Sequence, residues 1–247
     1  FWFYVNSSTD PEKEDGYIIS IENRKYLHCF NHYPNEFWKY PTSIFFLKNK
    51  SNASFDDDLR RFLIKLMAFL FAKFIDTPSI NAIKDDIYNA CITVEENNVF
   101  DRQFKMEEDK FREKIDEQSS ARLMRPLLLL DAYLNKDQKV LIKNTFDIEH
   151  IFPKKWQTAN YNDWDEREAQ AYLDRFGNKI VFEKKLNIQA GNGYFEKKKE
   201  KYKESEIALV QELAAYPKSD WVKEDIEKRE KEFKNRIIIF LNQHLNL

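Results

Sequence analysis

The sequence predicts a mainly α protein, in which a helical bundle precedes a smaller unit of two short strands with flanking helices. Only 4 glycines and 7 prolines occur in 247 residues, which favours long helices over the many tight turns of a sandwich or barrel. Apolar residues recur at helical spacing between residues 56 and 134. Behind a polar linker at 135–139, the pattern changes to short strand-like stretches.

Residues 1–50 form the first predicted segment, which is rich in aromatic residues and irregular. The stretches at 1–4 and 17–21 have the composition of short strands. The Tyr-Pro pairs at 33–34 and 40–41 favour extended or turn geometry. We expect this segment to pack on the helical domain and place no catalytic residue in it.

Residues 51–140 form the second predicted segment, a helical domain. The acidic run at 56–58 suits a helix N-terminus, and the apolar side chains between residues 59 and 75 share one broad face. A second helix is predicted to start at Ser79, and a charged third helix follows it. The leucine-rich stretch at 127–134 predicts a fourth, buried helix.

Residues 141–247 form the third predicted segment, a compact unit of its own. Short strands are predicted at 146–152 and 179–182, with a charged insert containing tryptophans between them. A long charged helix follows from about Tyr194. The last helix starts near residues 219–220, and its apolar stripe must pack on a neighbouring element.

Composition excludes several classes of protein. The chain has 40 Lys+Arg and 42 Asp+Glu, a net charge of −2, so a polyanion would have to be met by a local basic patch. Cys29 and Cys91 lie far apart, which excludes a disulfide framework and fits a reducing, cytoplasmic location. The most apolar stretch, residues 62–75, is too short for a membrane span and contains two lysines.

The first candidate for chemistry is a carboxylate next to an imidazole. Glu149 and His150 stand inside the apolar run at 146–153, which ends in Pro153. A buried charged pair is costly unless it is hydrogen-bonded or bound to a metal. Taken alone, such a pair is more often structural than catalytic.

Two later runs of sequence are also candidates for functional residues. The first is Gly177-Asn178, followed by a predicted strand and then by Leu186-Asn187. The second is the charged helix at 195–205, and between residues 183 and 204 seven lysines outnumber four glutamates. By themselves these runs indicate a turn and a solvated helix face.

Taken in order, the three runs resemble the His-Asn-His (HNH) nuclease domain at the C-terminus of GmrSD-type modification-dependent restriction enzymes. The matching patterns are I-E-H-I-x-P, G-N with a later L-N, and F-x-x-K-x-x-x-Y-x-x-S. The resemblance covers about residues 141–247, and residues 125–130 are similar to the helical region that leads into that domain. It implies a ββα-metal (HNH) nuclease fold with flanking helices, which holds one divalent cation against a DNA phosphate.

The resemblance also implies a role for five residues. His150 would be the general base that takes a proton from water. Glu149 and Asn187 would offer oxygen ligands to Mg²⁺, Mn²⁺ or another divalent ion. Asn178 would hold the loop that bears His150, and Lys198 would contact the scissile or a neighbouring phosphate.

Neighbouring lysines of the same helix are expected to add non-specific, salt-sensitive attraction to DNA. They are Lys197, Lys199 and Lys201. The ligand set has two alternatives, because Asn192 follows a flexible stretch after Asn187, and Asp147 would share a strand face with Glu149. The insert between the strands carries acids that would repel DNA, so we predict a surface lid.

These assignments predict a metal-dependent DNA endonuclease that leaves 5′-phosphate ends and acts in restriction or anti-phage defence. In the family, the nuclease is coupled to an N-terminal NTP-using module and acts on modified phage DNA. The 247 residues contain no P-loop, so we expect that module outside this chain, and full activity to need it or a homodimer. Two alternatives are a non-cleaving DNA- or partner-binding helical module with a decayed HNH fold, and an RNA-cleaving HNH enzyme.

Overall fold

The structure is a computed structural model that describes most of the chain. The described residues are 19–96, 99–100, 104, 107–118, 121–156 and 164–245. They are mainly helical, with one antiparallel pair of strands, so the predicted mainly α class is confirmed. The chain divides into two compact units, one of Phe1–Gln118 with Ile238–Leu247 and one of Ser119–Ile237.

The first unit is built from five helices and a short 3₁₀ turn among its described residues. They are α1 (Ile21–Asn31), α2 (Lys39–Asn49), α3 (Phe55–Asp76), the 3₁₀ turn Asn81–Ile83, α4 (Lys84–Glu95) and α5 (Glu108–Glu117). Helix α3 supplies more buried side chains than any other helix of this unit, and Tyr33 stacks on its Phe71 while donating a hydrogen bond to the Leu70 carbonyl at 3.0 Å. No helix in the described ranges is long and apolar enough to cross a membrane.

The expectation that residues 1–50 are irregular is wrong for α1 and α2. The Ser20 hydroxyl accepts a hydrogen bond from a first-turn N–H of α1, which caps that helix. Pro41 lies in the first turn of α2, where its missing N–H costs little. The strand suggested at 17–21 is replaced by the start of α1 at Ile21, and the stretch at 1–4 lies outside the described residues.

The second unit contains both strands. Its elements are α6 (Met124–Leu134), β1 (Phe146–His150), α7 (Glu166–Leu173), β2 (Lys179–Glu183), α8 (Lys184–Ala190), α9 (Phe195–Tyr202), α10 (Ala208–Ala214) and α11 (Lys223–Leu245), whose last turns belong to the first unit. The strands are antiparallel, with Glu149 opposite Ile180 and His150 opposite Lys179. This unit begins before the predicted boundary at residue 141 because α6 packs on β2. Part of the predicted lid insert, residues 157–163, lies outside the described residues.

A close approach between α11 and the turn before β2 fixes the site in place. A Cβ atom on Gly177 would lie 1.8 Å from the backbone oxygen of Ile226 on α11, so only glycine fits this position. From the same helix, Arg229 Nη1 donates to the carbonyls of Phe176 and Gly177 at 3.2 Å and to that of Lys179 at 2.8 Å. These contacts hold the turn that presents Asn178.

Candidate active site

Residues from all three sequence runs line one cleft of about 200 Å³ in the second unit. Glu149 and His150 come from the end of β1, Asn187 from α8 and Lys198 from α9. The remaining lining residues are Ile148, Pro153, Lys154, Ile188, Gly191 and Asn192. The cleft therefore combines a carboxylate, an imidazole, two amides and two ammonium groups.

Glu149 and His150 share this cleft although they are neighbours in β1. Adjacent side chains of a regular strand point to opposite faces. Here the strand ends at His150 and the chain bends at Ile151, two residues before Pro153. The end of the strand therefore allows both side chains to reach one site.

The Glu149 carboxylate is buried and held by α9. Its Oε1 accepts a hydrogen bond from the Tyr202 hydroxyl at 2.7 Å and forms an ion pair with Lys198 Nζ at 2.7 Å. Lys198 and Tyr202 are four residues apart and therefore lie on the same helix face. No described residue donates a hydrogen bond to the second oxygen, Oε2, which leaves that oxygen available to the cleft.

Lys198 is directed inward, towards protein acceptors. Besides Glu149, its ammonium contacts the carbonyls of His150 at 2.5 Å and Ile151 at 3.3 Å, and the residue is only 1% exposed. An ammonium group has three protons, so these acceptors use its full capacity. Burial lowers the pKa of Lys198, and the charge of Glu149 opposes that effect. The structure thus places Lys198 beside Glu149, whereas the sequence interpretation placed it against a phosphate.

The His150 imidazole is in its uncharged form, which can accept a proton. Its Nε2 atom is buried and has no hydrogen-bond partner among the described residues. Burial, assisted by Lys154 and Lys179, lowers the pKa of His150 to about 3. The imidazole is therefore neutral near pH 7 and keeps a lone pair that can accept a proton.

Asn178 is fully buried and does not line the cleft. Its Oδ1 accepts from the Phe152 N–H at 2.6 Å, and its Nδ2 donates to the carbonyls of Phe152 at 3.1 Å and Leu173 at 3.2 Å. Its backbone oxygen also accepts from the Ile151 N–H at 2.9 Å. Asn178 thus holds the two residues that follow His150.

The asparagines of the cleft come from the middle of α8 and the turn after it. Gly191 ends α8 with φ of 55°, and its N–H donates to the Asn187 carbonyl at 3.0 Å. This turn brings Asn192 into the same cleft as Asn187, and Asn192 Oδ1 accepts from the Lys155 N–H at 3.3 Å. Both asparagines can therefore offer an amide oxygen to a bound ion.

Asp147 lies apart from this arrangement. It is absent from the residues that line the cleft, and its carboxylate lies 4.0 Å from Arg125. The Arg125 guanidinium also stacks over the ring of Phe146 and donates to the carbonyl of that residue at 3.1 Å. The structure therefore directs Asp147 towards Arg125 and Glu149 towards the cleft.

The donor atoms of the cleft fit an ion that prefers oxygen and retains water. Glu149 Oε2 and the amide oxygens of Asn187 and Asn192 are hard ligands of the kind that Mg²⁺ binds. The described residues contain no group of three or more His, Cys, Asp or Glu that could hold a metal ion. Mg²⁺ commonly binds one or two protein ligands plus water and substrate phosphates.

The three lysines expected to attract DNA have different surroundings. Lys197 is exposed. Lys201 is half-buried and forms an ion pair with Glu204 at 2.7 Å. Lys199 is 7% exposed and donates to the Lys218 carbonyl at 2.6 Å, so it is directed into the protein. Of these three, Lys199 is the one whose ammonium is directed into the protein, whereas Lys201 pairs with Glu204 at the surface and Lys197 is exposed.

Sequence reasoning missed other contributors to the site. Lys154, Lys184 and Lys185 are exposed beside the cleft-lining segments, and none of them forms an ion pair within the described part of the chain. The lysine excess between residues 183 and 204 included the two lysines of α8. Their exposure beside the cleft, however, depends on the fold. Tyr202 stood in the helix motif, yet nothing in the sequence indicated that its hydroxyl binds Glu149.

Comparison with protein-family models identifies the family of the chain. The model of the C-terminal domain of GmrSD restriction endonucleases matches residues 79–236, which is well over half of the 247 residues and includes every residue that lines the cleft. A comparison with curated proteins finds no match. The match confirms the resemblance found in the sequence. The chain belongs to the C-terminal domain family of the GmrSD restriction endonucleases, which are nucleases of restriction systems.

Proposed function

We propose that this chain is an HNH-type, divalent-metal-dependent endonuclease that hydrolyses phosphodiester bonds in DNA. The observation that carries the proposal is that Glu149, His150 and Asn187, which lie in separate runs of sequence, line one cleft. Membership of a restriction endonuclease family supports DNA as the substrate. An antiparallel strand pair with a helix that contacts Glu149 supplies the components of a ββα-metal fold.

In this proposal the neutral His150 is the general base. Its unpartnered Nε2 takes a proton from the water that attacks phosphorus, while the bond to the 3′ oxygen breaks, that oxygen takes a proton from solvent water and the product keeps a 5′-phosphate. Glu149 Oε2 and the Asn187 amide oxygen would hold the ion. A bound Mg²⁺ would neutralise the negative charge that increases on the phosphate in the transition state.

Buried side chains position these groups. Asn178 holds the backbone of Phe152, and this fixes the segment that follows His150. Tyr202 and Lys198 hold one oxygen of Glu149, so that the other is presented to the cleft. A misplacement of about 1 Å in such groups can reduce a rate by about a hundredfold.

Exposed lysines on three elements would contact the DNA backbone. They are Lys154, Lys184, Lys185 and Lys197. Because the net charge of the chain is −2, this surface has to provide the local attraction for phosphates. Phosphate contacts carry no sequence information, so we assign the choice of modified DNA and NTP control to a separate module.

Nicking of supercoiled plasmid DNA tests the proposal. We expect nicking with Mg²⁺ or Mn²⁺, none with EDTA, and a loss of at least about a hundredfold in His150→Ala and Asn187→Ala. His244→Ala is the matched control, because His244 lies on the part of α11 that belongs to the first unit.

Three outcomes would count against the proposal. Nicking by His150→Ala at the wild-type rate would remove the proposed base. Cleavage of an RNA substrate in preference to DNA would change the substrate class. A folded wild-type protein that cuts neither substrate with any metal would favour a binding module.

A further inference from the structure

The charge of the cleft is unusual for a site that binds a divalent cation. Its lining contains one acidic side chain, Glu149, and two basic ones, Lys154 and Lys198. With His150 counted as neutral the lining has a net charge of +1, and protonation of His150 would only increase it. A free divalent cation therefore meets a cleft of the same sign.

The positive charge next to Glu149 is fixed in place. Lys198 Nζ lies 2.7 Å from Glu149 Oε1 and is also bound to the carbonyls of His150 and Ile151. The side chain is 1% exposed, so the surrounding protein keeps the ammonium group beside Glu149. An ion at Glu149 Oε2 would thus share its carboxylate with an ammonium group that stays beside it.

A DNA phosphate offsets the positive charge of the cleft. Each backbone phosphate brings one negative charge, and Lys154 is exposed at the cleft to attract it. Mg²⁺ also completes its coordination readily with phosphate oxygens. The phosphate therefore supplies the charge and the ligands that the protein lacks.

We propose that Lys198 couples metal binding to DNA binding, so that the site takes up its divalent ion together with the DNA phosphate and binds the ion weakly without DNA. The inference rests on the proposed function. It assigns Lys198 as a positioning residue that orients Glu149 and offsets its charge in the DNA-free protein. Binding free energies are reciprocal, so the metal must raise DNA affinity by the same factor by which DNA raises metal affinity.

Mn²⁺ binding, measured by electron paramagnetic resonance of the free ion, tests the coupling in the full chain. The His150→Ala background prevents cleavage of a short DNA duplex during the measurement. We expect the duplex to raise Mn²⁺ affinity at least about tenfold, and fluorescence anisotropy to show an equal rise in DNA affinity with Mn²⁺. Glu149→Gln should abolish Mn²⁺ binding in both conditions.

Removal of the fixed charge gives the second test. Lys198→Met should raise the DNA-free affinity for Mn²⁺ at least about tenfold, because Tyr202 still holds Glu149 while the competing ammonium is gone. Lys203→Met is the matched control, since Lys203 is exposed directly after the same helix, and it should leave DNA-free affinity unchanged. Circular dichroism shows whether Lys198→Met is folded. If the variant is unfolded, the comparison of Mn²⁺ affinity with and without the duplex tests the proposal.

The outcomes separate this inference from the proposed function. Equal Mn²⁺ affinity with and without the duplex, together with metal-dependent nicking, would overturn the coupling and leave the nuclease intact. An unchanged DNA-free affinity in folded Lys198→Met would overturn the role of Lys198. Absence of Mn²⁺ binding in both conditions, with no nicking, would overturn both proposals.

Discussion

Replacement of Asn178 tests how the buried turn supports the site. In Asn178→Ala, three hydrogen bonds disappear, one from the Phe152 N–H and two to the carbonyls of Phe152 and Leu173. Each buried group left without a partner costs about 1–3 kcal/mol, so the free energy of unfolding should fall by about 3 kcal/mol or more. The loss is a large part of the stability of a typical domain.

The same substitution should reduce nicking more than the folded fraction explains, because the segment after His150 loses its anchor. Urea unfolding followed by tryptophan fluorescence gives the stability, and nicking at a temperature where the variant is folded gives the rate. Asn178→Asp keeps the acceptor but turns a carboxylate towards two carbonyls, so it should lose at least as much stability. Asn52→Ala is the control, because Asn52 is exposed and its side chain donates one hydrogen bond, to Asn49 at 3.1 Å. A stability of Asn178→Ala within about 0.5 kcal/mol of wild type would refute the reasoning.

Three further predictions concern packing, pH and salt. Gly177→Ala should lower the free energy of unfolding by about 2 kcal/mol or more in urea, because its Cβ would lie 1.8 Å from the Ile226 carbonyl oxygen, and a neutral result would contradict this contact. Burial lowers the pKa of His28 from 6.5 to about 3, so its contribution to stability is complete above pH 6.5 and is lost as the pH falls towards 3. Between pH 8 and pH 5 this loss is about 2 kcal/mol, and His28→Leu should show a pH dependence that is weaker by that amount. Joint replacement of Lys184 and Lys185 by alanine should reduce the slope of log affinity for DNA against log salt by about 2, whereas replacement of two exposed lysines elsewhere should not.

The sequence predicted most of the helices because apolar periodicity is a local signal. The face at 59–75 became α3, and the leucine-rich stretch became α6. Helices α1 and α2 were missed because the Tyr-Pro pairs read as breaks, although Pro41 occupies a first-turn position that tolerates proline. The position of a proline within a helix depends on where the helix starts. Patterns in a single sequence locate the first residue of a helix only imprecisely.

The sequence indicated the identities of the site residues better than their orientations. Ordered motifs brought Glu149, His150 and Asn187 to attention, and the fold places all three in one cleft. The charge run suggested that Lys198 and Lys199 face solvent, yet both ammonium groups are directed into the protein. A lysine has a long apolar stem, and tertiary contacts decide whether its ammonium group reaches water.

The spacing of the helix motif is explained by internal contacts. Lys198 and Tyr202 meet the carboxylate of Glu149 on β1, and three residues later the Ser205 hydroxyl donates to Glu183 on β2 at 2.8 Å. The motif therefore describes a helix face that holds the carboxylate of β1 and a turn after the helix that holds the carboxylate of β2. In the proposed function, contacts with phosphate fall to exposed lysines on α8, on α9 and after β1. The family pattern thus locates the carboxylate that we propose as a metal ligand, whereas the proposed DNA-binding surface follows from the fold.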